Sequence, residues 1–298
     1  MTDHQNTDFS EIGERLRAHR LGNGLSPQQL SNKLGISRAA LYRAEKGEIR
    51  KIDMLTAIAN ELGVSLANLM GVGVEYVGTA IGFFERMRQL EERCEQIIGQ
   101  FSPISYLLTS DAYDDMLREV LIESVPDDPD GSNARTVEAL MALLRARKET
   151  FQRRRPLIVS LISSADLERF LLHGLAGRHD LPDRLTQARR RAARQEAENI
   201  IALLEDQPIG IQVGIVREPV PATSFQIFRQ ESRPTLAISP FRLGEQPNVR
   251  LGVALITAAH EAVALHEDIA ARLWHSALKS ADAAAYLRDA IDRYAIDE

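Results

Sequence analysis

The chain has 298 residues, enough for about two domains. A hydrophobic fraction of 44% excludes a disordered or collagen-like chain, and a single cysteine, Cys94, excludes a disulfide scaffold. The 36 Lys and Arg against 42 Asp and Glu leave a net charge of −6, which on average disfavours an anionic partner. No apolar run approaches the ~18 residues of a membrane-spanning helix. The opening segment MTDHQNTDFSEIG has neither a basic n-region nor an apolar h-region. The expectation is therefore a cytoplasmic protein with no membrane partner.

Residues 9–70 read as five short helices. The first covers 9–21, with Ile12 and Leu16 inward, and stops at Gly22-Asn23-Gly24. Ser26 then stands where an N-cap belongs, with Pro27 at the first helical position, where its locked φ and missing N–H cost nothing. This second helix buries Leu30 and Leu34 and ends at Gly35, a position that favours positive φ. Ile36 fills the angle, and Ser37 caps a third helix over 38–46. That helix turns Leu41 and Ala44 inward and Arg38, Ala39, Tyr42 and Arg43 outward. Gly47 closes it, a fourth helix covers 52–62, and Ser65 caps a fifth ending near Met70.

Two helices joined by a tight glycine turn, the second capped and bearing small and basic outward residues, form a helix-turn-helix signature. The residue types suit a major groove about 12 Å wide, because alanines permit close approach and Arg reaches a guanine O6/N7 edge. Local charge agrees. Residues 1–70 carry net +1, and 38–51 hold five basic against two acidic residues. Affinity for phosphates follows the contacts made rather than whole-chain charge. The expected base readers are Arg38, Ala39, Tyr42 and Arg43. Ser37, Gln28, Arg50 and Lys51 are expected to position the phosphate backbone.

The stretch LSPQQLSNKLGISRAALYRAEKGE resembles the Cro/CI-type (XRE) helix-turn-helix regulators at Leu30, Gly35-Ile36-Ser37, Leu41 and Glu45-x-Gly47. AIANELGVSLANL, from Ala57, is similar to that family's closing helices. Pro27 stands where the family usually carries Gln, and Ile49-Arg50-Lys51-Ile52 replaces its usual Pro after the glycine exit. The resemblance implies an all-α, five-helix, lambda-repressor-like DNA-binding domain over 9–71. It also implies double-stranded DNA as partner and a homodimer on an inverted repeat. The alternative is an antitoxin-like or adaptor protein whose C-terminal domain mainly binds another protein.

Past Gly71-Val72-Gly73, a helix is expected over 75–100, with Ala80, Phe84, Met87, Cys94, Ile98 and Phe101 on one face and Glu91 interrupting it. With helices at 111–124 and 134–153 it makes a helical connector and dimerisation region over 75–155. Residues 156–298 read as a mixed α/β domain. Strands are expected at 156–163, 209–216, 223–229, 235–239 and 249–256, and helices at 165–174, 185–206, through about Leu278, and from Ala281. LLTSDAYDDML, RARKETFQRRRP, RQEAENIIALLED, IQVGIV and TSFQIF occur in an order similar to a domain found behind this helix-turn-helix in actinobacterial regulators. That similarity implies a module sensing an unidentified small-molecule effector or docking a protein partner.

No enzyme is expected. His260 and His266 are six apart and face different sides of a helix, unlike the i, i+4 histidines of HExxH, so no metal site is read there. GxSxG, P-loop and GxGxxG motifs are absent from the sequence. Gly210 and Gly214, four apart in a strand, read as tight sheet packing. No cofactor is expected.

Overall fold

A computed structural model describes residues 9–49, 51–126, 129–178, 180–244 and 246–295. The N-terminal head is α1 (Phe9–Gly22), α2 (Pro27–Leu34), α3 (Arg38–Glu45), α4 (Ile52–Leu62) and α5 (Leu66–Met70). Its limits follow the caps read from sequence. Ser26 and Gln29 form a reciprocal capping box at α2, and Ser37 and Ser65 accept the N–H groups of Ala40 and Asn68. Gly35 closes α2 at φ 64°, where a side chain would strain the backbone. Leu16, Leu30, Leu41, Ile58 and Leu69 are wholly removed from solvent in one core, each worth roughly 1.5–3 kcal/mol.

The remainder is a mixed sheet with helices on both faces: β1 (Val74–Val77), α6 (Ala80–Arg93), β2 (Gln96–Phe101), α7 (Asp111–Ser124), α8 (Ser132–Arg154), β3 (Leu157–Ser163), α9 (Ser164–His173), α10 (Asp183–Asp206), β4 (Ile211–Val216), β5 (Ser224–Arg229), β6 (Thr235–Ser239), β7 (Ala254–Thr257), α11 (His260–Ser276), β8 (Leu278–Lys279) and α12 (Ser280–Tyr294). The strand order is β1-β7-β6-β5-β2-β3-β4-β8. Strands β2, β3 and β4 run parallel and are joined by the helical crossovers that parallel pairing demands, while every other pairing is antiparallel. One face carries Ile97, Ile158, Ile162, Ile215 and Phe228 against α6, α7, α8, α9, α10 and α12. The other carries Leu161, Val216, Phe225 and Leu236 against α11.

The helix expected over 75–100 is instead a strand, a helix and a strand. Gly78 breaks the run, and Thr79 caps α6 by accepting the N–H of Gly82. The β-branched Ile97-Ile98 then pairs in β2 with Ile158 and Val159 of β3. Ile98 and Phe101 thus leave the helical face on which the 3.6 period placed them. Glu91, the interruption in that face, is fully buried and receives Arg147 Nη2 of α8 at 2.5 Å. Cys94 is buried, and burial pushes its thiol up to about 12. Strand β7 is shorter than the expected 249–256, and the two-residue β8 carries no periodicity that sequence could reveal. At Gly214 an added Cβ would lie 3.0 Å from Ala277 Cβ and from the Trp274 ring, so the sheet there is packed against α11 and its end.

Candidate nucleic-acid interface

Helix α3 is built to be presented. Leu41 and Ala44 sink into the head core, and on the opposite side Arg38, Ala39, Tyr42 and Arg43 are all exposed. The Arg38 guanidinium lies over the Tyr42 ring, 5.3 Å from its centroid, and donates to Tyr42 Oη at 3.0 Å. The pair holds two long side chains in one conformation before any partner arrives, which lowers the entropy lost on binding. Arg43, Lys46 and Lys51 are exposed without a carboxylate partner among the described residues. Lys33, by contrast, is taken up by Glu61 at 2.7 Å.

Of the residues expected to position a phosphate backbone, Ser37, Gln28 and Lys51 are exposed. Ser37 Oγ accepts the Ala40 N–H at 3.1 Å, and Ser37 is exposed at the start of α3. Gln28, in the first turn of α2, is exposed and donates to Asn32 Oδ1 at 2.8 Å. Lys51 is the N-cap residue of α4, without a side-chain cap bond. Arg50 lies outside the described residues. Pro27, the departure from the family pattern, occupies the N-terminal turn of α2 and leaves the capping box intact, so Gln28 and Gln29 remain the polar groups of that turn.

Two features that sequence reading missed fix the aim of α3. Arg20 of α1 donates through Nε to Glu45 Oε1 at 2.5 Å and through Nη1 to the Leu25 carbonyl at 2.7 Å, with both side chains of the ion pair buried. Gly13 lies so close under the end of α3 that an added Cβ would stand 2.5 Å from the Glu45 carbonyl oxygen. The Glu45-x-Gly47 exit carried a signal for the first of these; the second needs the packed pair of helices.

The head is also joined firmly to the sheet. Glu75 of β1 accepts Arg86 Nε at 2.7 Å and Arg15 Nε at 3.2 Å, all three buried. Burial pushes the Glu75 carboxyl up, but the Arg86 and Arg15 guanidiniums outweigh it and hold the group below its ordinary value. Asn68 of α5 takes both backbone groups of Tyr76, donating to its carbonyl at 3.1 Å and accepting its N–H at 3.2 Å. An amide from the head therefore occupies the place of a further strand beside edge strand β1. Arg93 to Glu14 and Arg17 to Glu85 add ion pairs between α1 and α6. Ten of the fourteen residues of α6 are buried within the same chain, Ala80, Phe84 and Met87 among them.

Residues 11–69 match the family model described as a helix-turn-helix domain. The head is a helix-turn-helix domain. None of the curated proteins matches the chain in sequence. Two solved structures are similar to it in part. One is TrmBL2, an archaeal chromatin protein described as showing a novel mode of DNA binding, with 11% identity and a TM-score of 0.33 over 88% of this chain and 92% of that one. The other is the apo form of ComR from S. thermophilus, with 16% identity and a TM-score of 0.20 over 65% and 72%. Neither likeness is close enough to bear on function, which rests on the helix-turn-helix domain itself. Its presence supports DNA as the molecule's partner.

Away from the head, His260 opens α11, and His266 meets the Phe225 ring edge-on at 5.2 Å with Nδ1 2.8 Å from the Ala262 carbonyl. No group of three or more His, Cys, Asp or Glu among the described residues is placed to hold a metal. No helix among them is long and apolar enough to cross a membrane.

Proposed function

We propose that the chain is a sequence-specific transcriptional regulator that binds an inverted-repeat operator as a homodimer, with its sheet domain responding to a small molecule or a partner protein. The observation that carries the reading is the face of α3. Four exposed side chains stand on one side of a capped helix that is locked to α1 by Arg20 and Glu45. In this reading Arg38 and Arg43 meet base edges in the major groove, Ala39 admits the close approach, and Tyr42 steers Arg38. Ser37, Gln28, Arg50 and Lys51 contact the phosphates, fixing register without reading sequence. The chain acts without catalysis of its own, in the cytoplasm.

Selection of the full-length protein on random duplex DNA at physiological salt tests this. An enriched palindrome with half-sites about one helical turn apart is the expected result. Absence of enrichment by folded protein would sink the regulator and leave the adaptor reading. On the selected site, Arg38→Ala should relax preference at one base and cost about 1–3 kcal/mol, whereas Lys51→Ala should weaken all sequences alike and flatten the salt slope by about one unit. Equal losses for Arg38→Ala on specific and random DNA would remove it from the base readers.

A further inference from the structure

Between head and sheet domain lies a half-open cavity of about 190 Å³, bordered by the end of α1, the start of α6, α8 and the segment at Val249 and Arg250. Ile81, Val125, Val137, Leu140 and Val249 make its apolar side, and Arg250 stands exposed where it lines the opening. An apolar cavity of about 150 Å³ is enough to hold benzene, so this one has room for a single ring and a substituent. The first turn of α6 faces the same space through Ala80 and Ile81, whose N–H groups have no acceptor within the helix. Arg250 and the positive end of α6 therefore supply one anion-favouring region in a wall that is mainly apolar, with Thr79, Asn133 and Thr136 as its neutral polar groups.

We propose that this cavity is an effector site for a small carboxylic acid with an apolar body, the ring or branched chain lying against Val137 and Leu140 and the carboxylate held at Arg250. Its position connects it to the recognition helix. Gly22, the last residue of α1, lines the cavity, and an added Cβ there would stand 2.4 Å from Thr79 Oγ1, so no slack separates α1 from the start of α6. Two residues earlier on α1, Arg20 grips Glu45 at the end of α3. A ligand that parts α1 from α6 shifts α3 through that grip. The output of the site rests on the regulator reading above; its occupancy does not.

The test uses the full-length chain, with sodium benzoate and the neutral benzyl alcohol titrated calorimetrically. Benzoate should bind saturably and benzyl alcohol about tenfold more weakly, since the charge-assisted contact is absent. Arg250→Gln should weaken benzoate by about the same factor and leave benzyl alcohol unchanged. Val249→Phe, which fills the opening from a partly exposed position, should remove both while the circular dichroism spectrum is preserved. Saturating benzoate should change affinity for the selected DNA by about fivefold or more beyond a sodium chloride control of equal ionic strength. Lack of saturable benzoate binding, or binding indifferent to both variants, overturns the site. Binding with no change in DNA affinity overturns the effector role. A chain that binds benzoate but selects no DNA would break the regulator reading and leave the site standing, so the two failures are read apart.

Discussion

The head and the sheet domain are stabilised by different means. The head packs around an apolar core with the Arg20–Glu45 ion pair buried beside it, and its helices are limited by residues within three or four positions of each end. The sheet domain buries charge at more places and across longer stretches of chain. Glu91 meets Arg147 across 56 residues, Lys148 meets Asp114 across 34, and the Tyr113 hydroxyl donates to the Leu243 carbonyl across 130. The joint between them follows the second pattern, with Glu75 between two guanidiniums. The exposed face of α3 thus rests on a support whose helix limits are set locally. That support is coupled to the rest by buried ion pairs, which are costly when half-removed and are sensitive to what lies beside them.

The sharpest way to break the comparison is to strike the sheet domain alone. Glu91→Ala leaves the Arg147 guanidinium buried and unpaired and should cost about 3–5 kcal/mol in urea unfolding. Because the joint is itself buried and ionic, head and sheet should lose structure in one transition; two separated transitions would show the joint to be weak. Leu30→Ala strikes the head instead, opening a cavity in its apolar core, at about 2–4 kcal/mol. A far smaller loss would mean that the head core collapses around the gap.

The same contrast explains what was legible in the sequence. Head elements could be read because each signal, from Ser26-Pro27 to Gly35 and Ser37, acts on its own neighbours. The outward residues of α3 followed directly from Leu41 and Ala44 pointing inward. The stretch 75–100 misled because Ala80, Phe84 and Met87 do have helical period, and the strands on either side are decided by partners at 157–162, 225–229 and 254–257. No local rule encodes that Val74–Val77 belongs beside β7 or that Asn68 closes its free edge. Gly13 and Arg20, which orient α3, were invisible for the same reason, each depending on a contact more than twenty residues away.

A milder perturbation separates stability from recognition within the head. Ser37→Ala removes the acceptor for the Ala40 N–H at the start of α3 and should cost about 1 kcal/mol in thermal or urea unfolding. Ser37→Asp restores the cap but places a negative charge toward the proposed phosphate track. It should recover stability while weakening DNA binding, and recovery of both would take Ser37 out of the interface.

The smallest expected effect tests the joint by pH. His19 of α1 is buried, and its Nε2 has no hydrogen-bond partner. Burial lowers its pKa, Glu75 opposes the shift, and the nearby Arg86 and Arg15 guanidiniums add to it. The folded chain therefore keeps His19 neutral where the unfolded chain already takes up a proton, near pH 6.5. The unfolded state binds more protons in that window, so this contribution to stability is present above about pH 6.5 and is lost as pH falls through and below it. The loss between pH 7.5 and 5.5 should be about 1 kcal/mol or less, read as a fall in the urea midpoint. His19→Phe, which has no titrating group, should flatten that part of the profile; an unchanged slope in the variant would place the proton uptake elsewhere than the joint.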